Sequence, residues 1–457
     1  MSIASAIQNA QQKVANAYTA VSNMGGTLPA TQNLSNLPIA INSIPSGGGS
    51  SIGITREISN GVFQMPASNF TYTLPSTATD VGNYALNSAF HNCNSIVGFI
   101  ANGLTNISGL YALSSICQNS AHLATVSFSD LTTVSGQYAL QSAFAGVPLL
   151  SSVDLGKLTT ISGSSAFYET FADDTGLTTI NLGSLTTVSG SSAMSYAFRA
   201  CRNLASVNLD SLTTTAQAAF ASAFTSCTSL TSISLPSLVT IAGSNVFSSA
   251  FRGDTGLTTA NLGNVTTVTG TYVFSNAFAD CINLTSVDFG KLTTIGNYGF
   301  NNAFGNCRSL TIVKLNKINN IGTQTLAQAF INCTSLSSID LSGIVKANGS
   351  QALTRAFSGC TNLTSVDLSN LAEIKSGGVF QNTFNSCTSL TSISFPSLTT
   401  ASFGTSNNQF NNMLYGVTGC TVHFPSNLQS KIGNWASVTS GFGGTNTTVL
   451  FDLPATT

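Results

Sequence analysis

Residues 272–296, YVFSNAFADCINLTSVDFGKLTTIG, carry three short patterns in one span. Up to the anchor Phe278 the apolar residues recur at three- and four-residue intervals, which predicts one or two helical turns. Leu284, Val287 and Phe289 then follow an L-x-x-V-x-L spacing, which predicts a short strand entered by a turn, with its last two apolar residues on the buried face. The phrase Leu292-Thr293-Thr294-Ile295 leads to Gly296, eight residues before the next anchor. Neither the strand nor the turn can bury its apolar side within so short a span, so the span folds only if others stack on it.

They are present on both sides. The anchor aromatic recurs at Phe90, Phe144, Phe171, Phe198, Phe224, Phe251, Phe278, Phe304, Phe330, Phe357 and Phe384, with Cys117 in the slot of the second coil, at steps of 26 or 27 residues. Six residues after each anchor stands a Leu, or Ile96 in the first coil. A Gly eight residues before the anchor recurs from Gly82 to Gly349, the mark of a corner with positive φ or of crowded neighbouring backbones. The expected fold is a repeat solenoid of parallel β-strands and short helical turns, about 12 coils of 26 or 27 residues over 82–398.

Composition agrees. Hydrophobic residues make up 42% of 457 residues, charged residues 6%, and the net charge is -1. Parallel strands stack at about 4.8 Å, where a column of like charges repels and a column of hydroxyls or amides bonds. The same balance leaves no electrostatic footprint for nucleic acid or anionic lipid. Residues 1–24 lack a basic start and a continuous apolar stretch, and nothing later approaches 18 uninterrupted apolar residues. Neither export by the general pathway nor membrane insertion is expected.

Ile3, Ile7, Ala10, Val14, Ala17, Val21 and Met24 form a heptad seam that predicts a helix ended by Gly25-Gly26. Such a seam serves association with copies of itself, a trimer included, or with another protein; packing on its own chain is the alternative. The expected organisation is an N-terminal helical assembly or attachment segment at 1–45, a Gly/Ser linker at 46–51, a lead-in and N-cap at 52–81, the solenoid at 82–398, and a C-terminal cap at 399–457.

With anchor, Cys, Leu and Gly recurring together, residues 82–400 resemble the BspA-type leucine-rich-repeat family. Thr-Thr phrases stand where that family's strands usually end in Pro, a feature kept only at Pro236 and Pro396. The resemblance implies a surface-recognition protein, in a family found in bacterial adhesins, protist surface proteins and bacteriophage virion proteins. Residues 6–49, AIQNAQQKVANAYTAVSNMGGTLPATQNLSNLPIAINSIPSGGG, resemble segments that open tail-fibre-like proteins of gut bacteriophages. Together these imply a non-enzymatic virion protein that binds a host-surface protein or glycan and contacts other virion proteins through its N-terminal helix. A bacterial surface adhesin, a decoration fibre and a polysaccharide-acting enzyme are the alternatives.

Three columns are candidates for function. The penultimate strand position, on the open face, reads Asp154, Asn181, Asn208, Ser234, Asn261, Asp288, Lys314, Asp340, Asp367 and Ser394. It is a candidate ligand-binding face, with solvated polar side chains as the plain alternative. Asp340 and Asp367 fall one strand apart, close enough for repulsion to raise one pKa and for a glycosidase-like pair. Tyr84, Tyr111 and Tyr138, then Tyr272 and Tyr298, make two aromatic stripes suited to sugar or protein contacts, or to packing at a coil corner. Three residues after the anchor stand Cys93, Cys201, Cys227, Cys281, Cys307, Cys333, Cys360 and Cys387, with Ser120, Val147, Asp174 and Asp254 elsewhere. Without Cys pairs two to four apart or nearby His, these read as buried reduced thiols, and no metal or cofactor is expected. His91, His122 and His423 are too scattered for a triad. The Thr-Thr phrases make a weaker ice-binding reading.

Overall fold

The computed structural model describes residues 58–59, 62–63, 68–401, 409–431 and 441–455. The expected N-terminal helix, its seam of Ile3, Ile7, Ala10, Val14, Ala17 and Val21, and the 46–51 linker lie outside the described residues. What is described is a parallel-strand β-solenoid of about fourteen turns.

One strand of each turn stands in a long row, here called the long ladder, that begins at Phe70–Thr73, ends at Thr448–Leu453 and is hydrogen-bonded in successive runs of six, four, two and three strands. Register is the same from coil to coil: Ile180 pairs with Val153 on one side and Val207 on the other, and Val287 with Ala260 and Val313. Most of these strands are three residues long, with the middle side chain buried and the outer two facing solvent, as in Ser152–Asp154 and Ser365–Asp367. Beyond residue 398, Thr421–Pro425 and Thr448–Leu453 pair in turn on Ser392–Ser394 and prolong the ladder.

A second ladder comes from the Thr-Thr-Ile phrases, whose two-residue strands pair Thr160 with Thr133 and Thr187. The Thr one residue earlier explains the low charge. Thr132, Thr159, Thr186 and Thr213 each donate their hydroxyl to the carbonyl of the counterpart one coil back, at 2.9, 3.1, 3.2 and 3.1 Å. Those hydroxyls are committed to the stack, which removes the basis of the ice-binding reading.

The third side corrects the expectation of helical turns. From Gly82 to Cys93 the chain makes overlapping β-turns: the N–H groups of Ala85, Asn87, Ala89, His91 and Cys93 reach back three residues. Those of Tyr84, Leu86, Ser88, Phe90 and Asn92 donate to Leu110, Ala112, Ser114, Ile116 and Gln118 of the next coil. An α-helix consumes its N–H groups internally and has none to offer a neighbour; in a stack of coils the turn ribbon satisfies both demands. Every fourth residue is left-handed, with φ of 56°, 55° and 56° at Tyr84, Ser88 and Asn92, and the same three positions are left-handed at Tyr272, Asn276 and Asp280. Among the described residues the sole α-helix is Leu428–Lys431.

The core is built of columns. Phe144 to Phe384 form an unbroken stack of ring on ring, with neighbouring centroids such as Phe224–Phe251 at 5.5 Å and Phe304–Phe330 at 5.2 Å. Leu257, Leu284 and Leu310 are fully buried beside it. The recurring Gly does its work through crowding: a Cβ at Gly163 would run into the backbone carbonyl of Gly136, one coil back.

Candidate functional site

The long ladder's outer face presents the first and third residue of each strand. The third residues are those singled out in the sequence, and the structure gives them a local task. Oδ1 of Asp154, Asn181, Asn208 and Asn261 accepts the backbone N–H two residues on, at 3.0, 3.0, 3.0 and 3.1 Å. Asp288, Asp340 and Asp367 do the same at 2.8, 2.9 and 2.9 Å. This Asx turn ends the strand after three residues and starts the corner. Sequence reasoning missed it, although the phrases Asn181-Leu182-Gly183 and Asp288-Phe289-Gly290 carry its signature.

Two open depressions lie on this face. One, of about 420 Å³, runs over Asp154, Asn181 and Asn208 with Ser152, Thr179 and Ser206 along its other side and Val153, Ile180 and Val207 as its floor. The other, of about 480 Å³, is bordered by Pro236, Asn261, Asn264, Asp288, Lys291, Lys314 and Asn316. Ser152, Thr179 and Ser206 are exposed, and their hydroxyls have no hydrogen-bond partner within the chain.

The charged members are tied to one another. Lys314 donates to Asp288 at 2.6 Å across the strand pair. Partial desolvation, the largest influence on Asp288, acts upward, but the Lys314 ammonium and the Gly290 N–H outweigh it and hold the carboxyl below its usual range. At Asp340, too, desolvation acts upward and is outweighed, here by the Ser342 hydroxyl and N–H, Asn316 and Lys317. Asp340 and Asp367 are indeed register partners. The raised pKa expected of that pair is therefore corrected for Asp340: hydrogen-bond donors crowd its oxygens, and repulsion from its neighbour is not what governs it.

The tyrosines form ring stacks on the turn side. Tyr84 and Tyr111 lie 5.5 Å apart, Tyr111 and Tyr138 4.7 Å, and Tyr272 and Tyr298 4.3 Å, all face to face. Most ring faces are thus covered by another tyrosine. Tyr84 at 55% and Tyr272 at 38% keep the largest exposure. Neither depression on the sheet is lined by a tyrosine, so the two candidate surfaces are separate.

The Cys column is buried and reduced, and it has a further role that the sequence reading did not include. From Cys201 onward each thiol of the column donates to the carbonyl of the anchor Phe one coil back, as Cys201 to Phe171 at 2.9 Å, Cys281 to Phe251 at 3.0 Å and Cys333 to Phe304 at 3.1 Å, whereas Cys93 in the first coil lies against the Ser95 hydroxyl at 3.5 Å. Burial pushes the Cys360 thiol up to about 12, which keeps it a donor and a poor nucleophile. Among the described residues no group of three His, Cys, Asp or Glu is placed to hold a metal ion. The histidines are apart: His122 bonds the Asn94 carbonyl at 2.7 Å, and His423 pairs with Asp452 at 2.9 Å.

The profile of the BspA type leucine rich repeat region matches the chain in six copies, over residues 56–193, 141–277 and 271–413. No curated protein sequence matches it. Among solved structures, a leucine-rich repeat protein from Bacteroides ovatus is 22% identical over 69% of this chain and 82% of that one, with a TM-score of 0.34. The leucine rich repeat protein of T. pallidum is 24% identical over 40% of this chain and 72% of that one, with a TM-score of 0.27. An internalin from Listeria monocytogenes is 16% identical over 66% of this chain and 75% of that one, also with a TM-score of 0.27. The profile covers well over half of the chain and follows the same coils that stack in the structure, so the chain belongs to the BspA-type leucine-rich-repeat family.

Proposed function

We propose that the chain is a non-enzymatic recognition scaffold that binds a protein or glycan of a cell surface through the outer face of its long ladder. The observation that carries this reading is the row of exposed hydroxyls at Ser152, Thr179 and Ser206, free of partners within the chain and fixed at strand spacing beside the amides of Asn181 and Asn208. A rigid, nearly uncharged array of donors and acceptors over an apolar floor matches a ligand of repeating polarity, and each contact is weak enough that many copies would act together. The resemblance of residues 6–49 to tail-fibre openings supports a setting on a bacteriophage particle, with residues 1–45 as the attachment and self-association segment and a host-surface molecule as ligand. Open depressions with ionised, hydrogen-bonded carboxylates favour binding over acid and base chemistry.

The test is a Thr179→Arg, Ser206→Arg variant, which fills the depression and leaves every Asx turn intact. Binding to host cells should fall at least about tenfold while the melting curve stays in place. Undiminished binding by this variant would reject the face. Recovery of the protein on the surface of the bacterium that makes it, and not in particles, would move the same face to an adhesin.

A further inference from the structure

The slot three residues after the anchor is a donor slot. In eight coils its occupant is a thiol or hydroxyl that points to the anchor carbonyl one coil back, and Ser120 shows that oxygen serves as well as sulfur, with its hydroxyl 2.8 Å from the Phe90 carbonyl. Asp174 and Asp254 occupy this slot and are fully buried. Each uses Oδ1 to accept a backbone N–H, from Val147 at 2.6 Å and from Cys227 at 2.8 Å. Each leaves Oδ2 buried with no acceptor-type bond. At the first site the Val147 N–H has turned to Asp174, and among the described residues no backbone N–H reaches the Phe144 carbonyl. The slot thus holds an orphan carboxyl oxygen where other coils place a donor to the anchor carbonyl, and at the first site that carbonyl is itself undersupplied, while at the second the Phe224 carbonyl has its turn bond from Cys227 at 3.0 Å and room for one donor more. Both defects vanish if the carboxyl carries a proton.

We propose that Asp174 and Asp254 are neutral carboxylic acids in the folded protein, each Oδ2–H donating to the anchor carbonyl of the preceding coil, Phe144 and Phe224, so that closing these two junctions takes up two protons. The solenoid is then held more firmly in acid than at neutral pH. Apart from backbone N–H groups, nothing among the described residues around either carboxyl stabilises an ionised form. Asp174 faces apolar Val147 on one side and the Cys201 thiol on the other, with Asp173 beside it already engaged by Arg199 at 2.9 Å. Asp254 lies between the Cys227 and Cys281 thiols. The charges next in line, Arg252 and Asp280, pair with each other at the surface at 3.3 Å. Desolvation by burial raises both carboxyls well above their ordinary range, and the accepted N–H bonds offset only part of that. A carboxyl raised in the folded state binds more protons there than in the unfolded chain. Its contribution is therefore full below the unfolded value of about 4 and is lost as pH rises through the folded value.

The experiment compares the full chain with a D174C, D254C variant, which installs the column's own residue, and with D174S, D254S as a second replacement. As pH rises above about 4, the melting temperature of the wild type should fall relative to both variants and then level off. Isotope-edited infrared spectra of the ¹³C-aspartate-labelled wild type at neutral pH should show a protonated carboxyl band that both variants lack. A wild type with ionised carboxylate bands alone, or a melting difference that does not change with pH, would overturn the proposal. The infrared measurement needs only the wild type, so it decides the matter even if the variants fold poorly.

Discussion

Two columns of polar residues climb the same coils at the same interval and behave as opposites. The inner one, at Cys201, Cys281 and Cys333, is buried and donates to the coil behind. The outer one, at Asn181, Asn208 and Asp340, is exposed and accepts from its own coil two residues on. The difference follows from which backbone group each must satisfy. Inside, a carbonyl with spare capacity is sealed from water, so the slot selects a donor. Outside, water can replace any partner, and the side chain merely fixes the corner. An inner residue therefore has consequences for two coils and an outer amide such as Asn208 for one, the charged outer residues Asp288 and Asp340 being the exceptions through their bonds to Lys314 and Asn316.

Breaking the inner side should cost most at the ring stack. Phe304 lies between Phe278 at 5.6 Å and Phe330 at 5.2 Å, so Phe304→Ala opens a gap beneath two rings and is expected to cost about 3–5 kcal/mol. Urea unfolding followed by far-ultraviolet dichroism measures it; a loss below about 1 kcal/mol would show that neighbouring coils collapse into the gap. A smaller effect isolates the donor. Cys333→Val is tolerated sterically, because Val147 fills the same slot elsewhere, but it leaves the Phe304 carbonyl with only its turn bond from Cys307 at 3.1 Å. The expected loss is about 1 kcal/mol, and Cys333→Ser, which keeps a donor as Ser120 does, should lose less. If the valine variant is the more stable of the two, the column is apolar packing and nothing more.

Much of this was legible in the residues, for a reason that also marks where reading fails. A column repeats its environment at every coil, so the Phe, Leu and Gly positions announce burial and crowding a dozen times over. What spacing does not announce is backbone conformation. The stretch from Gly82 to Cys93 places Ala85, Leu86, Ala89 and Phe90 at intervals of three and four, and a ribbon of β-turns with a left-handed residue every fourth position produces the same spacing as a helix. The distinguishing sign was polar: Ser88, Asn92, Asn119, Asp280 and Asn306 sit at positions that need positive φ, where Asn and Asp are favoured and helix formers are not. On the candidate face the column itself was found and its turn-closing role was not, because an Asx turn is a relation between two neighbours and the column was read across coils. Asp174 and Asp254 were visible as acids in an apolar series, but their orphan oxygens exist only once the coils close around them.

The outer column gives the smallest effect and the sharpest contrast. Asn208 Oδ1 holds the Asp210 N–H at 3.0 Å on an exposed corner. Asn208→Ala should cost no more than about 1 kcal/mol, since water takes over the freed N–H, and Asn208→Asp, which retains the acceptor, should be near neutral. Amide hydrogen exchange resolves what stability barely registers: the Asp210 amide should lose protection in the alanine variant and keep it in the aspartate variant, while the Phe224 and Cys227 amides of the same coil remain unchanged. Loosening that spreads from Asp210 into those buried amides would mean that the outer turn helps hold the stack together. The division between a column that binds coils and a column free to meet a ligand would then fail, and substitutions on this face could no longer be read as tests of recognition alone.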